Sequence, residues 1–122
     1  MKQRFTIGQI LSVYTGKLMC DISDLYKIAN FLMDDNLFTH QLPRAAREAK
    51  PWLLESLPWL SGLTLDEVTA KNWKKRLQFY SEQFGEFHEL APIPSERRSH
   101  RDPVEEANEM ASGRVIVVEG AK

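Results

Sequence analysis

Cysteine, histidine and glycine are scarce in this sequence, and neither sign of charge is in excess. The 122 residues include one cysteine, three histidines and six glycines. A lone thiol, Cys20, makes no internal disulfide, and with His40, His88 and His100 scattered it builds no structural zinc site. No two histidines stand four apart, the spacing that sets two ligands on one helix face. No glycine-rich run is present to cradle phosphate, and no serine lies in a nucleophile-elbow pattern. Neither a metal nor a cofactor is therefore expected. The formal net charge is −1, whereas a protein that wraps duplex DNA ordinarily shows a basic excess. A nucleic-acid role would have to rest on a local patch. No apolar run approaches the roughly 18 residues of a membrane span. The opening MKQRFTIGQILSVYTG interrupts its short apolar run with Gly, Gln and Ser. Neither a signal peptide nor an anchor is expected, and the single thiol points to the cytoplasm.

The remainder is ordinary globular material, 43% hydrophobic and 27% charged. A chain of this length buries a core without staples. It reads as one domain, 1–122, with a polar basic loop at 94–101. Thr6 and Gln9 form a capping-box pair, with Phe5 and Ile10 spaced as a hydrophobic staple. Ile7, Ile10, Leu11 and Tyr14 then share one face, and Gly16 offers a cheap left-handed stop. This predicts a helix over 7–15. Asp21 is a fair N-cap for a second helix whose stripe runs from Ile22 to Met33 and stops at Asp34, Asp35 and Asn36. A third helix is predicted over 40–49, with Thr39 as its cap. Pro51 should kink it or force a restart over 51–57. Thr64 to Glu67 is a further capping-box pattern. Thr69 should open a helix carrying Trp73, Leu77, Tyr80 and Phe84, closed by Gly85. The alternation over 86–91 predicts a strand. Asp102-Pro103-Val104-Glu105-Glu106 is a strong helix start, and Gly113 should end that helix. The β-branched run 114–119 predicts a second strand, paired with 86–91. The fold class is thus α+β: four to five helices with a small two-stranded sheet formed by the C-terminal half.

His40, Gln41 and Arg44 are the strongest candidates for chemistry. His40 and Arg44 share a helix face. A neighbouring cation disfavours the charged imidazole, which suits a neutral base, and a helix N-terminus beside Arg44 could hold an anion. The plainer reading makes His40 and Gln41 buttresses of a proline-marked helix start and Arg44 half of a salt bridge. Lys71, Lys74, Lys75 and Arg76 cluster on the Trp73 helix, where cations near the N-terminal half oppose the dipole. Arg97, Arg98, His100 and Arg101 form a second basic cluster on the loop. Trp52 reads as core, and Trp59 would anchor an interface if exposed. Cys20, flanked by Leu18 and Met19, reads as a small buried hydrophobe.

The order of segments, with TGKLMC, LFTHQLPRA and DPVEE as its most specific parts, resembles a family of small uncharacterised bacteriophage and prophage proteins. The resemblance spans nearly the whole chain. It implies that Thr39, His40, Gln41, Pro43 and Arg44 stand in a signature, and it implies origin more than mechanism. The first expectation is a non-enzymatic accessory protein that binds a host or phage macromolecule, foremost a protein, to blunt a host defence or redirect a host enzyme. Trp59, Lys71, Lys74, Lys75, Arg97, Arg98 and Arg101 would be its contact residues. The second is a small enzyme or ligand-binding protein using His40, Gln41 and Arg44. The third is nucleic-acid binding through the clusters at 71–76 and 97–101. The oligomeric state is left open.

Overall fold

A computed structural model describes residues 1–63, 65 and 67–120, with 112–120 as backbone alone. The capping box forms as its sequence demands. The Thr6 hydroxyl accepts from the Gln9 amide at 3.1 Å, and the Gln9 side chain accepts from the Thr6 amide at 2.9 Å. Helix α1 therefore spans Ile7–Thr15 and ends on Gly16, whose φ of 75° is left-handed. It packs against both α2 (Ile22–Met33) and α3 (Leu42–Ser56), and also against α4 (Trp73–Phe84). Phe5, Ile10, Leu11, Ile28, Leu32 and Leu53 form the centre of the core, each at 2% exposure or less. Burying such side chains is worth roughly 1.5–3 kcal/mol apiece, which is what holds short helices together.

Helix α2 ends where the acidic run begins. Asp34 takes a left-handed conformation (φ 48°) and closes the helix, a position that aspartate tolerates better than most residues. Asp21 caps the start through its backbone carbonyl, not its side chain. The Arg98 guanidinium donates to the Met33 carbonyl at 3.0 Å. It thereby places a cation at the negative end of the α2 dipole, where two aspartates alone would oppose it.

Four expectations need correction. A 3-10 turn at Thr39–Gln41 leads into α3, which then runs unbroken through Pro51. Pro51 is exposed, so its missing donor faces water, while Leu53 and Trp52 anchor the helix beyond it. Replacing Pro51 with alanine should raise the urea midpoint, by about 1–2 kcal/mol of stability, because a proline inside a helix forfeits a hydrogen bond. An unchanged or lowered midpoint would mean that the ring helps to shape α3. Helix α4 starts at Trp73, not Thr69; the Thr69 hydroxyl instead accepts from the Asn72 amide at 3.2 Å in the preceding turn. The sheet is two-stranded and antiparallel, but β2 (Phe87–Leu90) pairs with β1 (Gln3–Thr6), in register Gln3↔Leu90 and Thr6↔Phe87. The run 114–119 is no strand: helix α5 (Pro103–Gly120) passes through Gly113 and includes it. β-propensity depends on a sheet to join, whereas a nucleated helix extends by one bond per residue. The Thr64-to-Glu67 pattern lies partly outside the described residues. Among the described residues no helix is long and apolar enough to cross a membrane.

Candidate functional site

His40, Gln41 and Arg44 converge, and they converge on the start of α5. Asp102 caps that helix, its carboxylate accepting from the Val104 and Glu105 amides at 2.9 and 3.1 Å. The first turn then turns Glu106 inward. Arg44 meets it with a two-pronged grip, Nε to Oε2 at 2.8 Å and Nη2 to Oε1 at 3.1 Å. Both side chains are buried, 7% and 8% exposed. The remaining terminal nitrogen of Arg44 donates to the Ser99 carbonyl and hydroxyl at 3.0 and 2.8 Å. Gln41, 1% exposed, donates to Glu106 and to the Arg101 carbonyl, and its own oxygen accepts from the Phe38 amide. His40 Nε2 donates to the Pro103 carbonyl at 2.8 Å, which sets its tautomer. Glu48, one turn beyond Arg44, holds the Ser99 amide at 2.6 Å.

The result is a clasp between THQLPRA and the segment 99–106. A buried bidentate pair of this kind is geometrically specific. Hydrogen bonds from Arg44 hold the Glu106 carboxyl below its ordinary range, against the opposing pull of burial, with Gln41 adding to the lowering. The folded state therefore binds this proton less readily than the unfolded chain. The contribution is complete above the ordinary glutamate value of about 4.3 and disappears as pH falls through the lower folded value. Urea midpoints measured from pH 6 down to 3 should fall, and Glu106→Gln should flatten that fall. A profile identical to wild type would remove Glu106 from the acid sensitivity.

The structure brings His40, Gln41, Arg44 and Arg101 together, but each has a partner within the chain. Arg101 pairs with Glu109, Arg97 with Glu55, and Arg98 with the α2 terminus. Trp59 is half-buried, stacked on Phe84 at 4.7 Å and tilted against His88. Lys71, Lys74 and Lys75 remain exposed and form no ion pair among the described residues. Burial raises the Cys20 thiol above its ordinary pKa, so it is not an activated nucleophile. Among the described residues no three His, Cys, Asp or Glu side chains are grouped to hold a metal ion.

Sequence reasoning did not find an apolar groove between α1, α2 and α3, with a volume of about 350 Å³. Its walls include Val13, Leu25, Ala29, Leu42 and Ala46, and its rim carries Leu18 and Ile22, about half exposed. The available signal was Leu18, a large aliphatic in the connection after Gly16, with Ile22 opening the α2 stripe next to it. Ser12 on the groove wall pins that connection, its hydroxyl accepting from the Met19 amide and donating to the Gly8 carbonyl, both at 2.7 Å.

A family described as a domain of unknown function, DUF7736, matches residues 5–63. That span contains every residue lining the groove and also His40, Gln41 and Arg44, while Ser99 and Glu106 lie beyond it. Neither the curated proteins nor the solved structures include a match to the chain.

Proposed function

We propose that this chain is a non-enzymatic binding protein, a bacteriophage or prophage accessory protein that engages a host or phage macromolecule. The observation that carries the reading is the engagement of Arg44, Gln41 and His40 with Glu106, Ser99 and Pro103, which leaves the signature holding the fold together. Every side-chain nitrogen of Arg44 and both polar atoms of Gln41 are engaged within the chain, whereas a catalytic group needs an atom free to meet substrate. Of the concave surfaces left open among the described residues, the groove is the most aliphatic, edged by half-exposed Leu18 and Ile22. Exposed apolar surface of this kind commonly marks an interaction site. The bacteriophage setting, and with it action on a host defence or host enzyme in the cytoplasm, rests on TGKLMC, LFTHQLPRA and DPVEE.

The test is affinity capture from bacterial lysate with the intact chain as bait. A protein recovered in near-stoichiometric amount supports the reading. Recovery of nothing above background sinks it, as does turnover of a metabolite library that His40→Ala abolishes. Nucleic-acid binding keeps one supporting observation, the exposed Lys71, Lys74 and Lys75. Binding through those lysines would weaken steeply between 50 and 200 mM salt, and a salt-insensitive complex would exclude it.

A further inference from the structure

We propose that the groove between α1, α2 and α3 seats an amphipathic helix of a partner protein, with an aliphatic face and acidic residues along one edge. The inference rests on the binding reading above and names the occupant. Three observations converge on it.

The first is the extent of apolar surface. A small ligand filling about 350 Å³ would still leave the outer faces of Leu18 and Ile22 in water. A helix laid along the groove covers its floor and rim together.

The second is the construction of the walls. They are three helices, the Gly16-to-Ile22 connection and Thr39 of the 3-10 turn, and the β1–β2 sheet does not line them. No sheet edge is presented there for an incoming strand. A partner helix satisfies its own backbone groups and needs only apolar contact.

The third is charge. Helix α3 sorts its charges by face. Arg44, Glu48 and Glu55 turn toward the segment 95–106, where they hold Glu106, Ser99 and Arg97. Pro43, Ala46, Arg47 and Lys50 recur at three- and four-residue spacing on a different face, and the first two line the groove. Arg47 and Lys50 are exposed and form no ion pair among the described residues. Lys50 Nζ lies 5.1 Å over the ring of Tyr14, next to the groove residue Val13. On α2 the pair Asp24 and Lys27, 3.4 Å apart, lies by helical spacing on the side away from the lining residues Ile22, Leu25 and Ala29, so it sets no charge at the groove. The α3 edge is therefore cationic, and it complements an acidic edge.

The test uses labelled synthetic helices of about 15–18 residues, long enough to hold helical structure. One carries leucines at i, i+3, i+4 and i+7 with glutamates alongside. A second has lysines for the glutamates, and a third has its leucines scrambled. Sodium decanoate serves as a small apolar carboxylate. The glutamate peptide should bind and shift the amides of Leu18, Ile22 and Ala46. The lysine peptide should bind roughly fivefold to tenfold more weakly, as expected for two exposed charge contacts. Ala46→Glu should abolish binding, and the exposed double variant R47E/K50E should reverse the order of the two peptides. Equal binding of the two charged peptides, binding of the scrambled one, or saturation by decanoate without peptide binding would overturn the proposal. If a captured partner holds Ala46→Glu as tightly as wild type, this inference falls and the binding function stands. Absence of any macromolecular partner removes both.

Discussion

Replacing Arg44 with alanine should lower the unfolding free energy by about 3–5 kcal/mol, the range for breaking a buried pair by removing one partner. The loss is large because of what remains. Glu106, 6% exposed as a residue, would keep Gln41 as its hydrogen-bond partner and only the more distant Arg101 as a counter-charge. Ser99 would lose both hydrogen bonds from the guanidinium. The double replacement Arg44→Met with Glu106→Leu should recover much of the stability, since two apolar side chains leave no orphaned ion. Recovery would be incomplete, because the Gln41 amide loses its carboxylate acceptor. Urea unfolding of the two variants decides the matter. If the single variant loses less than about 1 kcal/mol, the pair is no more than a surface contact. Proteolysis adds a second readout: the single variant should be cut in 95–106 sooner than wild type, because Arg44, Gln41 and His40 all bind that segment.

Gly8→Ala should cost about 2–4 kcal/mol, although alanine is the better helix former by up to about 1 kcal/mol. A Cβ at position 8 would stand 2.8 Å from the Met19 carbonyl oxygen and 3.3 Å from a Leu77 methyl. Leucine can rotate away, but the Met19 peptide cannot retreat cheaply. Its amide is tied to the Ser12 hydroxyl, which is tied in turn to the Gly8 carbonyl. Relief of the clash would stretch that buried chain and disturb the groove rim. Gly62→Ala is the control, since a Cβ there meets nothing within 4 Å. Thermal midpoints that fall equally for the two variants would show that helix context, not the close approach to Met19, governs position 8.

The start of α1 was legible in the sequence because everything that decides it is local. Thr6, Gln9 and Gly16 act on residues within four positions of themselves, so the predicted span 7–15 matches the observed Ile7–Thr15. The same holds for Asp102 and Pro103 at the start of α5. Where a local signal faced a distant one, the local reading failed. The run 114–119 has strand propensity, yet β2 took the N-terminal segment as its partner and the β-branched run continued a helix. Pro51 is a strong local breaker, yet Leu53 in the core and the Trp52 bond to the Ala91 carbonyl at 2.9 Å held α3 together.

The candidate site divides the same way. His40, Gln41 and Arg44 were recognisable as an unusual polar cluster beside two prolines. Their task was not, because Glu106 lies 62 residues beyond Arg44 and an ion pair leaves no trace in spacing. The arginine loop likewise read as an open basic patch until Glu55, Asp34 and Glu109 were seen beside it.

By itself, then, the sequence determined the helical character of the chain, the caps that begin α1 and α5, and the absence of any local catalytic or phosphate-binding motif. All of these depend on neighbours along the chain. The tertiary structure alone decided which charges are neutralised, that β1 joins β2, and that three helices leave an aliphatic trough with cations on one side. Those outcomes depend on distances between residues far apart in the chain, and such distances exist only once the core has closed.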